Sequence, residues 1–228
     1  MRVGMIMFPG LTQLDLTGPY EVLARLPDVS VSLIAETRAP VRSDTGLRLM
    51  PDATFDDAPP LEMLFVPGGP GIGEAIENEP LLAFLRARAP YAAYVTSVCT
   101  GSLVLGAAGL LRGYRATTHW LSMSLLAPLG AIPVAERVVV DRNRITGGGV
   151  TAGIDFALRL AAELRGEAVA QRIQLLLEYD PAPPFSSGSP RRAPRELVAD
   201  VTAERGAVQA ARALLIARAA RRLADRGD

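Results

Sequence analysis

Residues 94–102 read YVTSVCTGS and place the one cysteine of the chain, Cys99, between a β-rich apolar run and a segment typical of a helix. The run at 94–98 predicts a buried strand, and residues 100–111 predict a helix that follows it directly. In open α/β folds, ligands bind at the edge of the sheet where the parallel strands end. We therefore expect Cys99 to lie at a strand-to-helix junction on that edge.

Short apolar runs alternate with longer amphipathic segments along the rest of the chain, which favours an α/β sandwich around a mostly parallel sheet. The predicted strands cover residues 3–8, 29–35, 61–67 and 94–98, followed by a hairpin of 137–140 and 144–146. The predicted helices cover 19–26 with Pro19 in the first turn, 80–88, 100–111, and one long segment, 151–177.

The composition excludes several kinds of chemistry. All 24 basic residues are arginine, so no lysine is present for a Schiff base, a pyridoxal phosphate anchor or a standard phosphate-binding loop. One histidine and one cysteine exclude a zinc ribbon, an iron–sulfur cluster and an intrachain disulfide. We therefore predict no metal and no cofactor.

The charge and hydropathy pattern gives no sign of a macromolecular or membrane partner. The 24 basic residues balance 24 acidic ones, so no strong field attracts nucleic acid or an anionic membrane. No apolar stretch approaches the length of a transmembrane helix, and the N-terminus does not resemble a signal peptide. We expect a cytoplasmic protein that acts on a small molecule.

The composition changes after residue 180. Residues 181–190, PAPPFSSGSP, are typical of a turn-rich linker, and residues 190–228 carry nine arginines against five acidic residues. Residues 207–223 predict an Ala-rich helix. We favour a helix that covers the body of the protein over a subunit contact or a surface for an anionic partner.

Cys99 is the predicted nucleophile. The N-terminus of the following helix offers free N–H groups and a partial positive charge, which favour the thiolate over the thiol. A second motif, VPGGPG at residues 66–71, ends a strand with three glycines. The N–H groups of Gly69 and Gly71, together with that of Thr100, are candidate donors to a developing negative charge.

These motifs, together with FPGLTQLDLTGP at 8–19 and TTHW at 117–120, resemble the PfpI branch of the class I glutamine-amidotransferase-like superfamily over about residues 1–180. The resemblance implies a flavodoxin-like three-layer sandwich, a homodimer, and a catalytic domain over 1–180 with a linker and helical extension over 181–228. No histidine follows Cys99 directly or lies beyond His119, which argues against amide hydrolysis.

Within that branch, the chain is similar to the members that hydrate isonitriles. This resemblance implies addition of water to an isonitrile to give an N-substituted formamide, through a thioimidate on Cys99. It also implies that Asp15 serves as the acid/base and that Thr100 holds Asp15 towards the sulfur. His119 is expected near the site, in either a catalytic or a structural role, and Glu21 is a weaker alternative to Asp15.

Other functions stay open from the sequence. The branch also suggests a glyoxalase-like or deglycase-like enzyme acting on small dicarbonyls, or a stress sensor in which Cys99 is oxidised without turnover. Similar domains precede a helix-turn-helix pair in AraC-type regulators. Only about 38 residues follow the linker in this chain, too few for such a pair.

Overall fold

The computed structural model describes residues 1–226 and contains a central sheet of seven strands flanked by helices. The strands are β1 (Arg2–Ile6), β2 (Ser30–Ala35), β3 (Val41–Arg42), β4 (Arg48–Leu49), β5 (Ala53–Thr54), β6 (Met63–Val66), β7 (Tyr94–Val98), β8 (Arg115–Ala116), β9 (Ile132–Pro133), β10 (Val138–Asp141) and β11 (Arg144–Gly147). The α-helices are α1 (Gln13–Leu23), α2 (Ile72–Glu77), α3 (Glu79–Arg88), α4 (Gly101–Ala107), α5 (Ala152–Arg165), α6 (Glu167–Leu176), α7 (Arg195–Glu204) and α8 (Gly206–Asp225). Short 3-10 helices cover Ala89–Tyr91, Trp120–Leu125 and Ala127–Leu129.

The strand order in the sheet is β10–β11–β7–β6–β1–β2–β5, and only the β10–β11 pairing is antiparallel among these strands. Helices α1, α5 and α6 lie on one face, and α2, α3, α4 and α8 lie on the other. This arrangement confirms the predicted three-layer α/β sandwich with a mostly parallel sheet. Because parallel strands end at the same edge, the turns that follow β1, β6, β7 and β11 lie close together.

Helix α1 begins at Gln13, so the prediction of a helix that begins at Pro19 is wrong. Pro19 lies inside the helix, where it has no N–H to donate to the carbonyl one turn earlier. Its ring packs closely against α5. A Cβ added at Gly153 of that helix would lie 3.1 Å from the Pro19 ring. The earlier start places Asp15 in the first turn of α1 instead of in a loop.

The long helix predicted over 151–177 is two helices, α5 and α6. Gly166 separates them with a φ of 86°, in the left-handed region that glycine adopts without a steric penalty. Its N–H donates to the carbonyl of Ala162 at 2.8 Å and so closes the last turn of α5. The apolar periodicity continues across this break, which explains why the pattern predicts one helix.

The C-terminal segment returns to the body of the protein. Residues 181–194 contain no helix or strand, α7 was not predicted, and α8 covers the helix predicted over 207–223. Helix α8 buries Ile216, Ala219 and Leu223 and packs against α2 and α4. The favoured interpretation, a helix that covers the body, is confirmed. Across residues 1–226, no helix combines the length and hydropathy needed to cross a bilayer.

Candidate active site

Cys99 occupies the turn between β7 and α4 with a left-handed backbone. Its φ is 52°, a conformation that non-glycine residues seldom adopt and that clusters at functional sites. Its N–H donates to the carbonyls of Gly147 (3.0 Å) and Gly148 (2.9 Å), and its own carbonyl accepts from the Thr118 hydroxyl at 3.0 Å. These bonds hold the turn that residues 94–102 predict.

The Asp15 side chain is fully buried beside Cys99. Its Oδ2 accepts a hydrogen bond from the N–H of Gly68 at 3.1 Å. Its Oδ1 is also buried, and within residues 1–226 it accepts from no N–H or O–H group. Burial raises the pKa of Asp15 to about 7, although interactions with the Cys99 thiol and the Gly68 N–H act in the opposite direction. The carboxyl can therefore exchange a proton near neutral pH.

Cys99 is 5% exposed, so its thiol is largely removed from water. Burial raises the pKa of this thiol, and the charge of Asp15 raises it further. The backbone N–H and the hydroxyl of Thr100 lower the pKa, but by less. The donors at the N-terminus of α4 thus act in favour of the thiolate, as expected, while loss of hydration acts more strongly in favour of the thiol.

Thr100 binds the glycine turn after β6 instead of Asp15. Its Oγ1 accepts from the N–H of Gly69 at 3.1 Å, and no hydrogen bond joins it to the Asp15 carboxyl in the described residues. The predicted contact between Thr100 and Asp15 is thus absent. Thr100 instead fixes the position of Gly69, and so of the adjacent Gly68 N–H that reaches Asp15.

The glycine turn contacts the site differently from the prediction. The N–H of Gly69 is used by Thr100, and the N–H of Gly71 donates to the carbonyl of Gly10 at 2.9 Å, so neither is free to bind an oxyanion. Gly68 was not among the predicted site residues. Its backbone lies so close to Thr100 that an added Cβ would lie 2.5 Å from the Thr100 backbone nitrogen. Its position in the VPGGPG motif is the sequence feature that could have identified it as a site residue.

His119 is half-buried and lines the same cavity as Cys99. Its Nδ1 accepts from the N–H of Leu121 at 3.4 Å, and its ring packs on Gly149, where a Cβ would lie 2.6 Å from Cδ2. Burial lowers the pKa of His119, and the charges of Arg212 and Arg205 lower it further. The imidazole is therefore neutral at pH 7. Its contacts are those of a structural residue that forms part of the cavity wall.

The cavity above Cys99 has a volume of about 210 Å³. Cys99, Thr100 and His119 line one part of it. Helix α8 and the residue just before it contribute further residues that were not predicted at the site: Arg205, Val208, Gln209 and Arg212. A larger neighbouring cavity of about 530 Å³ shares His119 and Val150 with it but is not lined by Cys99. The chemistry of Cys99 therefore belongs to the smaller cavity.

The alternative acid lies outside the reactive site. Glu21, the alternative acid, is exposed on α1 and pairs with Arg25 at 2.6 Å. In the part of the chain from residue 1 to 226, no group of three or more histidine, cysteine or acidic side chains is arranged to bind a metal ion. The titratable groups that lie side by side at the Cys99 turn are those of Asp15 and Cys99.

The chain is thus an α/β protein with a mostly parallel sheet, a cysteine at a strand-to-helix turn and a buried carboxyl beside that cysteine. The chain belongs to the DJ-1/PfpI family, whose model matches residues 1–163. The predicted membership of the PfpI branch is thereby confirmed.

Individual relatives agree with this assignment. The chain is 61% identical to an isonitrile hydratase from Pseudomonas putida, over 87% of each chain. A solved structure of a THiJ/PfpI family protein from Pseudomonas syringae superposes with a TM-score of 0.92 at 45% identity, covering 94% of this chain and 90% of that one. The HTH-type transcriptional regulator GbdR of Pseudomonas aeruginosa is 30% identical over 78% of this chain and 50% of its own length.

Proposed function

We propose that this protein adds water to an isonitrile and releases an N-substituted formamide, with Cys99 as nucleophile and Asp15 as acid and base. The observation that carries the proposal is the buried Asp15 carboxyl beside the Cys99 thiol, with one carboxyl oxygen bound by Gly68 and the other without an N–H or O–H partner in residues 1–226. The identity of 61% with an isonitrile hydratase supports the same reaction.

In the first half of the reaction, the sulfur attacks the terminal carbon of the isonitrile. Above about pH 7 Asp15 is a carboxylate and the proton shared by the pair lies on sulfur. Asp15 accepts the thiol proton as the C–S bond forms and delivers it to the same carbon. The product is a neutral thioimidate, R–N=CH–S–Cys99, and Asp15 is a carboxylate again.

In the second half, water adds to the thioimidate carbon. Asp15 accepts a proton from the water, and the imine nitrogen receives one, which gives R–NH–CH(OH)–S–Cys99. Loss of the hydroxyl proton forms the carbonyl, the C–S bond breaks, and the sulfur regains its proton. One isonitrile and one water give one formamide. No electrons are exchanged with another molecule, so the proposed reaction needs no redox cofactor.

Thr100 acts in this proposal as a positioning residue. Its hydroxyl holds the Gly69 N–H at 3.1 Å, and the preceding N–H, that of Gly68, orients the Asp15 carboxyl. The Thr100 N–H also interacts with the Cys99 sulfur and lowers the thiol pKa, so of the three expected donors, Gly69, Gly71 and Thr100, it is the one that we assign to the developing negative charge.

The direct test is hydration of cyclohexyl isonitrile, followed by appearance of the N-formamide. We expect Cys99→Ala to lower kcat by at least about a thousandfold and Asp15→Asn by about a hundredfold or more. Glu21→Gln, which alters the exposed carboxylate of α1, should retain wild-type activity. If the wild type forms no formamide, the proposal fails, and assays with methylglyoxal and peroxide would test the enzyme and sensor alternatives.

We also propose that the protein is a cytoplasmic homodimer. Support for a subunit contact comes from apolar side chains that this single chain leaves uncovered, among them Leu175 (82% exposed), Leu176 (66%) and Phe185 (79%). Light scattering of the purified protein should give about twice the 24.2 kDa mass of the chain, and Leu175→Glu should lower it. A monomeric mass for the wild type would refute the dimer.

A further inference from the structure

The C-terminal region supplies cationic groups to the cavity of Cys99. Arg212 and Gln209 from α8, and Arg205 just before it, line the same cavity of about 210 Å³ as Cys99 and Thr100. All three lie outside residues 1–163, the part of the chain that matches the family model. Cys99 and these side chains therefore line one cavity, although they come from distant parts of the sequence.

Arg212 is half-buried and, among residues 1–226, pairs with no carboxylate. Its one hydrogen bond to a described residue is a long one, from Nη1 to the Ser122 hydroxyl at 3.5 Å, and that hydroxyl also donates to Gln209 at 3.3 Å. No acidic group within residues 1–226 lies within 4.0 Å of its guanidinium, whereas Arg218 and Arg222 on the same helix both bind Glu77, at 3.3 and 3.0 Å. A partly desolvated guanidinium with unused donors is suited to an anionic ligand.

The other charged groups around the cavity leave this position open to an anion. Arg205 is exposed and its Nε lies 3.7 Å from Glu204, and His119 is neutral because burial lowers its pKa. Asp44 also lines the cavity, and its carboxylate already accepts from the Thr12 hydroxyl at 2.8 Å and the Thr45 N–H at 2.9 Å. The positive charge is thus concentrated on the side formed by α8.

We propose that the isonitriles taken by this site carry a carboxylate, which Arg212 binds with assistance from Arg205 while the isonitrile carbon faces Cys99. A guanidinium presents two parallel N–H groups that match a carboxylate, so it fixes the orientation of the substrate as well as its charge. This inference rests on the proposed function and names the substrate class of the same site.

The test compares a matched pair of substrates, isocyanoacetate and its methyl ester. We expect the wild type to favour the carboxylate over the ester by about tenfold or more in kcat/KM, as for a charge-assisted hydrogen bond. Arg212→Gln should abolish this preference by lowering kcat/KM for the carboxylate far more than for the ester. Arg221→Gln removes the same charge from an exposed position of α8 that does not line the cavity, so it should behave like the wild type.

The outcomes separate the inference from the proposed function. If the wild type hydrates the ester and cyclohexyl isonitrile but does not prefer the carboxylate, or if Arg212→Gln keeps the preference, the inference is overturned and the hydratase proposal stands. If the wild type hydrates none of the three, both fail. Should Arg212→Gln not fold, added salt provides the second measurement: it should lower kcat/KM of the wild type for isocyanoacetate and not for the ester, and an equal response would overturn the inference.

Discussion

The Cys99 turn and the α8 side of the cavity are built in opposite ways. At the turn, the Cys99 N–H and carbonyl are held by hydrogen bonds to neighbouring strand and loop ends, and Asp15 is fully buried. On the α8 side, long side chains such as Arg212 reach the cavity from a surface helix that is anchored by exposed ion pairs to Glu77. The first region lies within the residues that match the family model, and the second lies outside them.

This difference indicates a division of roles between the two regions. A reaction that depends on a desolvated thiol and carboxyl needs the sheet core, because only there are both groups removed from water. Selection among substrates needs a surface that can change without disturbing that core. Substitutions at the turn should therefore affect the reaction strongly, and substitutions that loosen α8 should affect it weakly.

Among variants that keep Cys99, the largest effect is expected from Asp15→Asn, on the rate and on its pH dependence. Because burial raises the pKa of Asp15 to about 7, wild-type kcat/KM should fall as the pH drops below about 7, where the protonated carboxyl can no longer accept the thiol proton. Asp15→Asn should be slower by about a hundredfold or more and should lose this inflection. The measurement is formamide production between pH 5.5 and 8.5. An unchanged inflection in the variant would assign it to another group.

The same substitution should stabilise the protein at alkaline pH. The pKa of Asp15 is raised from its ordinary 3.8 to about 7, so the folded protein binds this proton more tightly than the unfolded chain does. The free energy of unfolding of the protein therefore falls by up to about 4 kcal/mol as the pH rises from 3.8 to 7, and the whole of this loss is present above pH 7. Asp15→Asn removes the charge, so urea unfolding should show a gain at pH 8 that shrinks towards pH 5. A pH-independent difference would contradict the burial argument.

A smaller effect is expected from Thr100→Val, which removes the acceptor of the buried Gly69 N–H. Leaving a buried donor without a partner should lower the free energy of unfolding by about 1–3 kcal/mol. Loss of this bond should also displace the Gly68 N–H from Asp15 and reduce kcat. Thr100→Ser keeps the hydroxyl and should retain most of both. If Thr100→Val has wild-type activity, Thr100 does not position the acid.

The smallest effect is expected on the α8 side, from Glu77→Gln. This change weakens the exposed ion pairs with Arg218 and Arg222, so the free energy of unfolding should fall by less than about 1 kcal/mol. Hydration of cyclohexyl isonitrile should stay within about twofold of the wild type. A large loss of that activity would contradict this division of roles, because it would show that the position of α8 controls the reaction itself.

The two regions also differ in how much of each could be predicted from the sequence. The Cys99 turn is local in sequence. An apolar strand, the cysteine and a helix of small residues follow one another directly, so the turn between them could be predicted. The juxtaposition of Asp15 with Gly68 and Cys99 joins three separate segments, and the residues alone suggest only that the strand ends share one edge. The donors at the helix N-terminus can be predicted from the sequence, whereas the burial that raises the pKa of Cys99 cannot, because it depends on how distant segments pack.

The α8 side illustrates a different limit. The apolar spacing of Ile216, Ala219 and Leu223 identifies the buried face of the helix, but it does not say which end of the body that face covers. The contribution of Arg212 to the cavity depends on that docking.

The burial of Cys99 has a practical consequence for solution experiments. Because it is the one cysteine of the chain and is 5% exposed, any thiol-reactive reagent reports on a single, shielded atom. The labelling rate should equal the rate for a free thiol multiplied by the fraction of time that the site is open. A small alkylating agent and a bulky disulfide reagent would then distinguish entry through the cavity from unfolding of the turn. The wild-type chain thus contains its own kinetic reporter of access to the nucleophile.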